Sequence, residues 1–315
     1  MGGQQTSLQT VEKNYEGGGC LSKFKGALTA LITPFDDKDN INEEGLRENV
    51  RFQLEQGIHG LIPVGTTGEC ATLSYEEHER VIEIVIDEAK NKVPVVAGTG
   101  SNSTKEAITL TKYAKDAGAD GALLVAPYYN RPGQRGLYEH YRKIAEEVDI
   151  PQIIYNIPSR TGINVEAKTI AKLAKIKNIV GVKEASGNLS QIMQIIRQTD
   201  KDFSLISGDD SLTFPILALG GVGVISVAAN LVSDKVAKMV DAFLEGDIET
   251  SRNLHYELMP LFKALFIETN PGPAKAAMEL LGRAAGKPRL PLVEARPETR
   301  ENLREVLADL GLVSK

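Results

Sequence analysis

The segment Ile179-Val180-Gly181-Val182-Lys183-Glu184-Ala185 is apolar on both faces of its alternation until it reaches a lysine. A strand with two apolar faces belongs in a parallel sheet covered by helices, and parallel strands need long crossovers between them. Working outward from it, short apolar runs recur at 27–32, 60–64, 93–97, 122–125, 152–155, 203–206 and 223–227. Between them, 43–56, 104–117, 136–148, 166–174 and 189–198 keep the 3.6-residue period of amphipathic helices. Ser74-Tyr75-Glu76-Glu77 fits a capping box that opens a further helix ending near Lys90. Eight strands with helical crossovers predict an α/β fold, a (β/α)8 TIM barrel, over 24–245. A doubly wound open sheet is the alternative. Beyond Gly246 the strand runs stop, and 252–266, 273–281 and 297–310 read as helices, so an all-helical C-terminal domain is expected over 246–315. Residues 1–23, with Gly17-Gly18-Gly19-Cys20 near their end, read as a flexible leader.

Of the 315 residues, 42% are hydrophobic and 25% charged, an ordinary globular balance. The net charge of -6 and the lack of a basic stripe argue against nucleic acid as a partner. Two cysteines, Cys20 and Cys70, make no disulfide framework. No apolar stretch approaches the roughly 18–20 residues that cross a bilayer. The start, Met1-Gly2-Gly3-Gln4-Gln5-Thr6, fits the loose myristoylation pattern but reads more simply as a polar leader, and a cytoplasmic location is expected.

An ammonium inside a dry strand is costly, and desolvation favours its neutral form. A neutral amine attacks carbonyls and forms Schiff bases. The alternative is a lysine at a strand end that snorkels to water. In a barrel the catalytic groups gather at the C-terminal ends of the strands. There lie Thr66 and Thr67 in a glycine-flanked turn whose N–H groups suit a carboxylate, and Tyr155, whose hydroxyl suits proton transfer beside an amine. Arg160, in Pro158-Ser159-Arg160-Thr161-Gly162, has the fork that clamps a carboxylate. Strand alternation turns Lys183 and Glu184 to opposite faces, so the two do not pair. The four histidines lack metal-ligand spacing, and Gly98-Thr99-Gly100 and Gly220-Gly221-Val222-Gly223 complete no phosphate or dinucleotide fingerprint. Asp209-Asp210 reads as a solvated loop pair. No metal and no cofactor is implied.

The stretches Gly65-Thr66-Thr67-Gly68-Glu69, Gly98-Thr99-Gly100, Pro127-Tyr128-Tyr129-Asn130-Arg131-Pro132, Tyr155-Asn156-Ile157-Pro158-Ser159-Arg160-Thr161-Gly162, Gly181-Val182-Lys183-Glu184-Ala185-Ser186-Gly187-Asn188 and Ser207-Gly208-Asp209-Asp210 follow one another in a familiar order. With them the chain, over about 24–315, resembles the dihydrodipicolinate synthase family of the N-acetylneuraminate lyase superfamily, the class I Schiff-base aldolases. The resemblance implies that Lys183 forms an imine with pyruvate, whose enamine attacks L-aspartate 4-semialdehyde. It gives proton transfer to Tyr155, relayed by Thr66 to Tyr129, a residue that this family inserts from a neighbouring subunit of a homotetramer. It assigns the pyruvate carboxylate to Thr67, the semialdehyde carboxylate to Arg160, and the lining of the pyruvate site to Gly208 and Ile225. Sialic acid and keto-deoxy sugar acid lyases share the Schiff-base core, and Tyr129 with Arg160 favours the synthase. A barrel isomerase that binds phosphate and a catalytically dead barrel are the readings from other classes. The resemblance further implies L-lysine as an effector, at Cys70, Ala71, Tyr75, His78, Asn102, Glu106 and Tyr128. Cys70 and Tyr75 depart from the serine and the histidine or tryptophan expected there.

Overall fold

The computed structural model describes residues 24–314, so the expected leader at 1–23 lies outside the described residues. Eight parallel strands, β1 (Gly26–Ala30), β2 (Gly60–Ile62), β3 (Val96–Gly98), β4 (Gly121–Val125), β5 (Gln152–Asn156), β6 (Ile179–Glu184), β7 (Ser204–Ser207) and β8 (Gly223–Ser226), form one sheet in the order β2-β1-β8-β7-β6-β5-β4-β3. A parallel bridge, Leu61 to Val95, joins the two ends and makes the sheet a barrel with helices between successive strands. The apolar runs therefore have the origin that the sequence suggests. One face of each strand meets the covering helices, and the other fills the lumen with Leu28, Ile62, Leu123, Ile153, Ile206 and Ile225.

The capping box is present: the Ser74 hydroxyl accepts from the Glu77 N–H, and the Glu77 carboxylate from the Ser74 N–H, at the start of the helix Tyr75–Ala89. Besides the single turn Pro158–Thr161, two helices that the sequence reading left unassigned are Thr213–Leu219 and Ala229–Leu244. The first is short. The second buries its first five residues all round, and further on carries a polar stripe at Asp234, Lys238 and Asp241 that the sequence reading passed over.

The three C-terminal helices are Ile248–Ala264, Gly272–Leu280 and Pro297–Asp309. The first begins ahead of the expected 252 because the Asp247 carboxylate accepts from the Thr250 N–H at 3.0 Å and caps it. Leu258, Leu261, Leu303 and Leu307 share one apolar cluster with Leu61, Val64 and Ile82 of the barrel. A polar clamp joins the two regions as well. Lys275 Nζ lies 2.6 Å from Glu69 Oε1, with side chains 1% and 0% exposed. The Arg289 N–H donates to Glu69 Oε2 at 2.8 Å, and its guanidinium pairs with Glu77 at 2.6 Å. Both cations lie over the Phe35 ring, 4.1 and 4.2 Å from its centroid. The turn after β2 is thus held from the C-terminal side.

Removing one member of a buried ion pair strands the other charge in a dry site. Lys275→Met should therefore lower stability in urea unfolding by about 3–5 kcal/mol, and adding Glu69→Gln should recover much of the loss. A single-variant loss below about 1 kcal/mol would place the pair among the weak surface bridges.

Candidate active site

Lys183 stands at the C-terminal end of β6, in register with Tyr155 of β5 on one side and Ile206 of β7 on the other. Its side chain turns into the lumen and is 6% exposed, with Nζ 4.2 Å from the centre of the Tyr155 ring. Glu184 turns outward, accepting from Asn156 Nδ2 at 2.9 Å and the Ser186 N–H at 2.7 Å. The alternation read from the sequence holds, and the two do not pair. Burial, opposed by the Asp210 charge and aided to a smaller extent by Arg160, brings the Lys183 amine down to about 7. Burial raises the Tyr155 phenol to about 12, so it stays protonated and able to donate at neutral pH. The Thr66 hydroxyl lies within hydrogen-bonding reach of Tyr155.

Gly208, just past β7, is where Lys183 meets the next strand. A β-carbon there would lie 3.0 Å from Lys183 Cε and 2.8 Å from Ala185 Cβ, so glycine leaves the amine its room. Ile225, 1% exposed, adds apolar lining from β8. The threonine turn opens at Val64, whose φ of 50° is rare for a β-branched residue. It is fixed by the Gly98 N–H donating to the Pro63 carbonyl at 3.0 Å. A β-carbon on Gly98 would lie 2.4 Å from the Val64 carbonyl oxygen, which accounts for the first glycine of Gly98-Thr99-Gly100 as a close-approach position.

Thr67 is buried, and its hydroxyl accepts from Asn270 Nδ2 at 2.9 Å. Arg160 sits near the end of the short helix Pro158–Thr161, with Nη2 donating to the Asn270 carbonyl at 3.2 Å. Arg160 and Asn270 separate two spaces. An inner cavity of about 350 Å³ is lined by Thr66, Cys70, Ala71, His78, Glu106 and Tyr128 among others. A wider mouth of about 830 Å³ is lined by Ala185, Gly208, Asp209, Phe266 and Ile267 among others.

The structure thus brings together Lys183, Tyr155, Thr66, Thr67, Arg160, Gly208 and Ile225. Tyr129 does not join them. It is 89% exposed, at φ 69°. Five of the residues assigned to an effector line the inner cavity; Tyr75 and Asn102 border it through bonds. The Tyr75 hydroxyl and the Ser101 hydroxyl both donate to Glu106, and the Asn102 carbonyl accepts from Asn130 Nδ2 at 2.9 Å. His78 is buried, with Nε2 2.9 Å from the Gly98 carbonyl, and burial lowers its pKa to about 4, so it is neutral near pH 7.

One expectation is corrected. Asp210 is not a solvated loop residue but is 2% exposed. Its Oδ2 accepts from the N–H groups of Val227 and Ala228 at 3.0 and 3.1 Å, ahead of the helix Ala229–Leu244, and its other oxygen is buried without a partner. Burial pushes its pKa up, while those bonds and Ser226 push it down. Asn270 was missed altogether: Thr269-Asn270-Pro271-Gly272 carries only a turn signal. Among the described residues no three His, Cys, Asp or Glu side chains gather as a metal ion would require, and no helix is long and apolar enough to cross a membrane.

A model of the dihydrodipicolinate synthetase family matches residues 23–310. A 4-hydroxy-tetrahydrodipicolinate synthase of Methanopyrus kandleri is 58% identical over 293 residues, 92% of this chain and 98% of that protein. The crystal structure of dihydrodipicolinate synthase from Aquifex aeolicus superposes with a TM-score of 0.90 at 50% identity, over 92% of this chain and 99% of that one. That of DHDPS from Cyanidioschyzon merolae with lysine bound gives a TM-score of 0.91 at 44% identity, over 93% and 100%. An enzyme barrel whose lumen holds a buried lysine thus meets a family match across nearly its whole described length, and the chain belongs to the dihydrodipicolinate synthetase family.

Proposed function

We propose that this chain condenses pyruvate with L-aspartate 4-semialdehyde, through a Schiff base on Lys183, to give 4-hydroxy-tetrahydrodipicolinate for lysine and diaminopimelate synthesis. The observation that carries the reading is the Lys183 amine, buried in the barrel lumen against the Tyr155 ring. The neutral amine adds to the keto carbon of pyruvate. Loss of water from the resulting carbinolamine needs a proton on the departing hydroxyl, which the Tyr155 phenol supplies through its contact with Thr66. The Tyr155 phenolate left by that transfer takes a proton from the methyl carbon to give an enamine, and the regenerated phenol returns the proton to the aldehyde oxygen as the enamine attacks the aldehyde carbon. The semialdehyde's own amine then displaces Lys183 from the imine carbon and closes the ring. A second carboxylate beside a fixed guanidinium suits this aldehyde better than a polyhydroxylated one, which would need hydroxyl-binding partners. A phosphate-binding barrel would place its anion near the loop after β7, where Asp210 already holds the N–H groups of Val227 and Ala228.

In this reading Tyr129 completes the relay in a partner subunit, because its own chain leaves it 89% exposed. The inner cavity, which runs from Thr66 to Glu106, is the place for an L-lysine effector, whose ammonium Glu106 would meet. Lysine bound to the Cyanidioschyzon merolae relative supports that choice of ligand.

Reduction with borohydride in the presence of pyruvate should add the mass of the reduced adduct to Lys183 and to no other lysine. Because only the neutral amine attacks, labelling should quicken as pH rises through about 7 and level off above it. An adduct elsewhere, or a rate still climbing toward the ordinary lysine range, would contradict the assignment.

Mixing Lys183→Ala and Tyr129→Phe chains tests the shared site. A hybrid dimer holds one barrel with an intact lysine that faces an intact partner tyrosine, so activity should rise well above either parent. No rise would put the tyrosine's action within its own chain, or outside the reaction.

Millimolar L-lysine should slow turnover, and Glu106→Gln should weaken that inhibition without abolishing catalysis. A rate unmoved by lysine in the unmodified enzyme removes the effector from the account.

A further inference from the structure

We propose that Asn270, on the connection between the helices Ile248–Ala264 and Gly272–Leu280, is a positioning residue that fixes the Thr67 hydroxyl as a donor to the keto-acid carboxylate. The inference rests on the reading of Lys183 and Thr67 given above. A hydroxyl has one proton and two lone pairs, and an amide nitrogen can only donate. Asn270 Nδ2, 2.9 Å from Thr67 Oγ1, therefore makes that oxygen an acceptor and leaves its proton to be given elsewhere. Both residues are buried, 3% and 4% exposed, where a hydroxyl proton without an acceptor is costly. A carboxylate entering the lumen toward Lys183 supplies that acceptor as a charge-assisted bond.

The same residue touches the second grip by a different atom. Its main-chain carbonyl accepts from Arg160 Nη2 at 3.2 Å. Its Oδ1 is buried with no partner, and the residue borders both the inner cavity and the mouth. Side chain and main chain thus have separable duties: the amide orients Thr67, and the carbonyl steadies Arg160. A neutral amide also suits a site that must admit two carboxylates, where an aspartate of the same shape would repel both. It would in addition accept the Thr67 proton and turn it from the substrate.

The test compares full-length Asn270→Ala and Asn270→Asp with the unmodified enzyme, following both Michaelis constants and borohydride trapping of pyruvate. Asn270→Ala should raise KM for pyruvate about tenfold while moving KM for the semialdehyde less than about threefold, because the carbonyl that holds Arg160 remains. Asn270→Asp should be worse than alanine for pyruvate, although it keeps the side chain's shape and so serves even if alanine impairs folding. In a Thr67→Val background the Asn270→Ala effect on pyruvate should shrink to near nothing. A packing role would reverse the order, with aspartate milder than alanine, and would overturn the proposal. An equal rise in both constants, or an effect that persists without the Thr67 hydroxyl, would overturn it too. No pyruvate adduct in the unmodified enzyme would instead strike the Schiff-base reading beneath it.

Discussion

The site depends on how cheaply the barrel can keep one amine uncharged. In water a lysine at neutral pH is almost wholly an ammonium; at about 7 a large fraction is neutral. Burial in the lumen does most of this, and Arg160 adds repulsion from the mouth. Asp210 pulls the other way and is itself buried, so its placement matters. Its Oδ2 is committed to the N–H groups of Val227 and Ala228 at the start of the next helix. A carboxylate free to close on Lys183 would restore the ammonium and remove the nucleophile.

Around that amine, the threonine turn is braced from three directions. Gly98 lets the neighbouring strand approach the Val64 carbonyl, the Glu69–Lys275 pair anchors the turn's far end, and Asn270 contacts Thr67 itself. Two of the three braces come from residues beyond 264. The C-terminal helices therefore contribute to the geometry of the barrel mouth as well as to its packing. That is a reason for a barrel of this kind to carry them, since strands alone would leave a strained turn with little to hold it.

Much of this was legible in the sequence, and the rest was not for definable reasons. Two-faced apolar runs at regular spacing gave strand number and direction, and the period of two put Lys183 and Glu184 on opposite faces. Lys183 and Tyr155 could be paired because they end neighbouring strands at one register. Asn270 gave no such signal, because its partner is 203 residues earlier and belongs to a different structural layer. Asp210 was misread for a related reason. An acidic residue in a loop resembles a solvated one until the N–H groups that hold it, 17 and 18 residues later, are folded onto it. The helix Ala229–Leu244 begins with a fully buried turn, Ala229–Ser233, that reads as a continuation of the apolar run before it, although its polar stripe at Asp234, Lys238 and Asp241 was there to be read.

The loop that carries Tyr129 shows how a local cost points beyond its own chain. Tyr129 and Arg131 both lie at positive φ, 69° and 44°, where side chains with a β-carbon are disfavoured. Asn130 between them donates to the Asn102 carbonyl at 2.9 Å, so the loop is held in that shape. Yet the shape sends a large aromatic ring into solvent, which gains nothing for an isolated barrel. A conformation held against local preference, with its ring presented outward, makes physical sense where another surface receives it. The partner-subunit role proposed for Tyr129 supplies such a surface and would leave each barrel's proton relay unfinished until two chains meet.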